Sequence, residues 1–267
     1  MKKLFSAASI FILLQFSAPV FADDFQDGLD AATQGDFKTA FEKWKPLAKK
    51  GSALAQFNMG LMYDKGEGVK RNYKKAVRWY KLAAKQGVAS AQFNLGVLYS
   101  KGKGVRQSFK KALIFYVRAA KQGNVSAQFN LGLMYDIGEG VTPDYKRAIK
   151  WYRLAAKQNN AQAQFNLGQL YESGQRVTQD YKKAFNWLNL ASEQNYIDAK
   201  YNLGVMYEFG EGVDQSYENA YEYYLFAARR DNLESQIKVA DMYRDGIGTE
   251  MDLDKSAYWL KRIEDSK

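Results

Sequence analysis

A chain of 267 residues that is 46% hydrophobic and 25% charged has the composition of a folded protein, not a disordered one. It contains no histidine and no cysteine, which removes the commonest general base, the commonest neutral metal ligand and every disulfide. The formal net charge of +10 suits acidic partners.

The first element is a leader. Lys2 and Lys3 form a positive start, Leu4 to Phe16 a mostly apolar run, and Val20-Phe21-Ala22 places small residues at −3 and −1 before Asp23. The pattern predicts a signal peptide over 1–22 and an exported chain from Asp23. The apolar run falls short of the ~20 residues that span a bilayer. No cysteine follows the cleavage point to carry a lipid, and no later run is apolar enough to cross a membrane.

From there the chain repeats itself. Gln-Phe-Asn begins at Gln56, Gln92, Gln128 and Gln164, each 36 residues after the last, with weaker copies at Lys200 and Gln236. Six units follow: 52–87, 88–123, 124–159, 160–195, 196–231 and 232–267. A fixed period of this size signals a stacked repeat architecture. Residues 23–51 read as a shorter leading unit, with a helix over Asp36 to Lys50 that carries Trp44 and is kinked by Pro46.

Each unit reads as two helices. The first, Ala91 to Tyr99 for example, has Phe93, Leu95, Leu98 and Tyr99 at helical spacing. Gly-x-Gly-Val then stops it, as at Gly66-Glu67-Gly68-Val69. The second helix, as in residues 73–87, has Tyr73, Ala76, Val77 and Tyr80 on an apolar face and Lys74, Lys75, Arg78, Lys81 and Lys85 on a wet one. Gly87, Gly123, Asn159 and Asn195 are C-caps. Gly60, Gly96, Gly132, Gly168 and Gly204 sit inside first helices, where glycine costs about 1 kcal/mol against alanine, so the second helix is expected to leave no room there for a Cβ. Ala240 takes the sixth place. Arg176 replaces the second loop glycine of the fourth unit, and that turn should differ. The sixth unit has drifted, with Leu260 and Ile263 where earlier units have tyrosine and alanine.

The motif A-x-x-x-L-G-x-x-Y-x-x-G-x-G-V followed by K-A-x-x-W-Y-x-x-A-A-x-x-G resembles the Sel1-like repeat family, relatives of the tetratricopeptide repeat, over residues 52–267. The implied fold is all-α: a right-handed α-solenoid, or superhelix, of helix-turn-helix repeats with a 36-residue period. The implied function is recognition of a protein or peptide partner along a concave groove lined by first helices.

Residues that share one face of the first helices are the candidate groove. The series Leu61, Val97, Leu133, Gln169, Val205, Asp241 and the series Lys65, Lys101, Ile137, Ser173, Phe209, Asp245 change from unit to unit, as recognition positions can. Ile137 and Phe209 are apolar where neighbours are polar and are expected to anchor a partner. Asn58, Asn94, Asn130, Asn166 and Asn202 form a ladder with two readings: amides that bond an extended peptide, or amides that bond the backbone and hold the stack.

Charge is polarised. Residues 23–160 carry 25 Lys+Arg against 11 Asp+Glu, and residues 161–267 carry 12 against 18. Such a chain steers charged partners and leaves head-to-tail self-association open. Against that stands a lysine face that serves only solubility. No nucleic-acid motif is present, and the tyrosines and tryptophans recur at core spacing rather than as a free stacking platform. No cofactor or metal ligand set is evident. Glu67, Glu139 and Glu211 invite a catalytic reading, but Lys103 and Gln175 hold the same loop position. Cysteine-rich members of the resembled family are linked to penicillin binding or β-lactam hydrolysis, and their paired cysteines are absent here. The reading is therefore a non-enzymatic interaction scaffold, periplasmic or secreted, in envelope regulation or host interaction. The alternatives are a self-assembling envelope element, or a cell-wall or β-lactam hydrolase or its regulator.

Overall fold

The computed structural model describes residues 19–265, with side chains from residue 23. Most of the expected leader lies outside the described residues. The described residues form two compact units: those up to 127 with 138–142, and 128–137 with those from 143 on.

The described residues form fourteen α-helices and no strand, as the sequence predicts. A leading pair, α1 (Pro19–Thr33) and α2 (Phe37–Lys49), precedes the repeats. The first helices of the repeats are α3 (Ala53–Lys65), α5 (Ala89–Lys101), α7 (Val125–Ile137), α9 (Ala161–Ser173), α11 (Ile197–Phe209) and α13 (Leu233–Asp245). The second helices are α4 (Tyr73–Lys85), α6 (Phe109–Lys121), α8 (Tyr145–Lys157), α10 (Tyr181–Glu193), α12 (Tyr217–Ala228) and α14 (Leu253–Glu264). The fold class is an all-α solenoid of helix-turn-helix repeats. Among the described residues no helix is long and apolar enough to cross a membrane.

Local chemistry sets the helix ends. Each second helix opens on a residue whose side chain accepts from the backbone N–H three positions on: Asn72 from Lys75 at 3.0 Å, Asp144 from Arg147 at 3.0 Å, Asp252 from Lys255 at 2.9 Å. At the far end Asn159, Asn195 and Asp231 are the described non-glycine residues with left-handed φ, and glycines take that place in the earlier repeats. Pro46 does not end α2. The helix continues to Lys49, and Lys50 N–H donates to the Pro46 carbonyl at 3.0 Å.

The second loop glycine has a steric task as well. A Cβ on Gly104 would lie 2.5 Å from the backbone carbonyl carbon of Tyr73, where α4 of the preceding repeat begins. The loop of one repeat thus rests directly on the backbone of the last. Arg176 breaks this rule. It is not among the left-handed residues, and its guanidinium lies over the ring of Tyr145, 4.2 Å from the centroid. The turn differs as expected.

Alanine columns let the helices approach. Ala55, Ala76, Ala83 and Ala91 are fully buried in one unit, and Ala163, Ala184, Ala191 and Ala199 in the other. Between them lie large side chains such as Tyr80 and Leu95, or Leu188, Leu203 and Met206. Leu260, at the position of the fully buried Tyr80, is 47% exposed, so the drift of the sixth repeat accompanies an uncovered surface.

Candidate protein-binding face

The candidate face of the first helices carries a polar row fixed by the core tyrosines. In the first unit the Tyr80 ring lies against Gly60, which brings its hydroxyl to Asp64 Oδ2 at 3.3 Å. Asn94 of the next first helix donates from Nδ2 to the same hydroxyl at 3.1 Å. Burial lifts the Asp64 carboxyl above its ordinary value and holds the Tyr80 phenol well above its own, so the proton stays on the tyrosine.

The second unit repeats the motif with changes. Tyr152 donates to Asp136 at 3.3 Å and is bonded by Asn166, while Arg176 pairs with Asp136. Tyr224 donates to Glu208 at 2.6 Å, and Lys238, at the asparagine position, reaches both Glu208 oxygens at 2.8 Å. Between these two sets the row is interrupted. Leu188 stands where the tyrosine should be, so Glu172 has no phenol donor. It accepts from Asn202 Nδ2 at 3.4 Å, and Glu211 adds like charge, so burial and repulsion raise the Glu172 carboxyl above its ordinary value.

A second row lies on the other side of the first helices. Gln92 is 5% exposed. It donates to the Ala84 carbonyl at 3.2 Å and accepts from Gln122 at 2.7 Å. Gln56 and Gln164 repeat the arrangement with Ala48 and Gln86, and with Ala156 and Gln194. These glutamines were visible in the sequence only as markers of the period. Their signal was a polar side chain recurring among buried neighbours.

The predicted site residues fall into three groups. Asn58 is buried, and Asn94, Asn130, Asn166 and Asn202 are half-buried, with Asn94, Asn166 and Asn202 engaged in the row just described. Leu61 and Leu133 are half-buried, while Gln169 is exposed. Ile137 and Phe209 are each 62% exposed, among the most exposed large apolar side chains of the second unit. Lys238 Nζ lies 5.8 Å from the Phe209 ring centroid. Asn166, Gln169, Ser173 and Arg176 also line a depression of about 270 Å³ together with Asp136. The arrangement can hold a partner by apolar contact and hydrogen bonds.

Stacked helical repeats of this kind are generally protein-interaction scaffolds. A family model, the Sel1 repeat, matches residues 53–88, 89–124, 125–160, 161–196, 197–232 and 233–263, and the chain belongs to that family. The structure resembles c5321, a protective antigen present in uropathogenic Escherichia coli strains and displaying the same repeat fold. Identity is 35% and the TM-score 0.82, over 85% of this chain and 48% of that one, so the chain spans about half the length of that relative. A Sel1 repeat protein from Oxalobacter formigenes is 30% identical with a TM-score of 0.79, over 90% of this chain and 96% of that one. Comparison with curated protein sequences gave no match.

Proposed function

We propose that this chain is an exported, non-enzymatic scaffold that holds a protein or peptide partner along the face of its first helices. The observation that carries the reading is the contrast on that face. The polar row is engaged within the fold, whereas Ile137 and Phe209 stand out to solvent at 62% exposure. Exposed apolar anchors beside ordered polar groups are the make-up of an interaction hot spot. Export rests on the leader pattern of residues 1–22. A protective antigen among the similar structures agrees with a chain that meets other molecules outside the cytoplasm.

The test is capture from envelope extract on immobilised residues 23–267, beside an Ile137→Asp, Phe209→Asp variant whose melting curve matches the parent. A partner held by the parent and lost by the variant supports the reading. Equal capture by both moves binding to another face. Incubation of the parent with peptidoglycan and a chromogenic β-lactam tests the hydrolase alternative. Turnover lost on changing one acid would establish it.

A further inference from the structure

The first unit contains a cleft that the groove face does not use. It is lined by α2, α3 and α4, has a volume of about 340 Å³, and is walled by Phe41, Met59, Tyr63, Trp79 and Leu82. Four cations rim it: Lys45, Lys49, Lys75 and Arg78. None of the four forms a salt bridge among the described residues, and no acid lines the cleft. Lys45 lies 5.4 Å from the Phe41 ring centroid and Lys75 5.0 Å from that of Tyr63.

At the equivalent place in the next repeat Tyr99 stacks on Phe115 at 5.6 Å and 9°, and Tyr207 stacks on Tyr223 at 5.5 Å and 15°. Here Phe41 meets Tyr63 edge-on at 5.9 Å and 84°, and the apolar lining lies beside four cations with no acid among the lining residues. An occupant must bring an apolar side chain flanked by carboxylates.

The second unit presents that chemistry in one short segment. Glu250-Met251-Asp252 ends the loop between α13 and α14, and Leu253-Asp254 opens α14. Met251 is 68% exposed and Leu253 62%. Asp252 caps α14 and pairs with Lys255 at 2.9 Å, whereas Glu250 and Asp254 form no salt bridge among the described residues.

We infer that the Phe41–Trp79 cleft receives the Glu250–Asp254 segment of a second copy of this chain. The contact joins two different surfaces, so it is heterologous and can add copies head to tail. It is small and rimmed by exposed charge, which makes it weak and salt-sensitive. It is independent of the groove reading, because neither Ile137 nor Phe209 takes part.

Sedimentation velocity of residues 23–267 over a concentration series tests it. The sedimentation coefficient should rise with concentration at low salt and stay flat at high salt. A Lys45→Glu, Arg78→Glu variant and a Glu250→Lys, Asp254→Lys variant should each remain monomeric alone, with parental melting curves. Mixed together, they should associate again, because each then offers the charge the other lacks. A parent that stays monomeric throughout overturns the inference, as does association that persists unchanged in both variants. A monomeric parent whose cleft binds a synthetic acidic peptide would reassign the cleft to a different partner.

Discussion

A Cβ placed on Gly60 would stand 2.4 Å from Cδ1 of Tyr80, closer than any real Cβ contact. The pair recurs as Gly96 with Tyr116 at 2.5 Å, Gly132 with Tyr152 at 2.4 Å and Gly204 with Tyr224 at 2.6 Å. Alanine is the better helix former by about 1 kcal/mol. Overpacking a filled core costs about 1–3 kcal/mol, and a displaced ring loses its hydroxyl bond at about 1 kcal/mol more. Gly60→Ala should therefore lower the unfolding free energy by about 1–3 kcal/mol. Denaturant melts of parent and variant measure this, and a stabilised variant would show that the ring moves freely.

The asparagine row and the exposed groove positions separate by stability. Asn166 bonds Tyr152, whereas Gln169, one turn away, is exposed. Asn166→Ala should cost about 1 kcal/mol through the lost bond. Gln169→Ala should stay within about 0.5 kcal/mol of the parent. Equal melting curves for the two variants would mean that Asn166 does not hold the stack.

Much of the fold was legible because the period is strict and its punctuation is chemical. The glycines at 60, 96, 132, 168 and 204 announced a close approach, although the approaching group is a tyrosine ring, or Leu188, rather than helix backbone. The acids Asp64, Asp136, Glu172 and Glu208 stand on the 36-residue register, with Ser100 in the second repeat, yet the tyrosines that meet Asp64, Asp136 and Glu208 lie 16 residues on, across a turn, where a one-dimensional reading pairs nothing. The asparagines divided between two readings for the same reason: Asn94 and Asn166 meet a tyrosine of the preceding repeat, and Asn202 meets Glu172. The Phe41–Trp79 cleft was not legible at all. Its lining comes from three helices, α2, α3 and α4, whose side chains meet only in the fold.

The buried glutamines carry a prediction that the period alone does not. Gln92 is held by two hydrogen bonds at 5% exposure, while its partner Gln122 is exposed. Gln92→Leu removes both bonds and leaves an amide facing an apolar side chain, a loss of about 1–3 kcal/mol. Gln122→Ala leaves Gln92 bonded to Ala84 and should cost about 1 kcal/mol or less. Parallel denaturant curves test the order. A Gln122 variant that is the weaker of the two would place the anchor on the wrong side.

Glu172 is the point where the row can be repaired. Leu188 lies against Gly168, with the leucine Cγ 2.6 Å from where a Cβ would be, in the place that tyrosine holds in the neighbouring repeats. Leu188→Tyr should set a phenol against Glu172, as Tyr152 meets Asp136, and add about 1 kcal/mol. The pH dependence gives an independent reading. The folded-state carboxyl is raised, so the folded chain holds that proton more tightly than the unfolded one. Its ionisation therefore destabilises at neutral pH, and this penalty disappears as pH falls through the raised value to below the ordinary glutamate range. Glu172→Gln should accordingly be at least as stable as the parent at neutral pH, with the difference shrinking in acid. Melting curves across that range decide it: a glutamine variant less stable at neutral pH would show that the charged Glu172 is held by partners strong enough to outweigh its burial and the charge of Glu211.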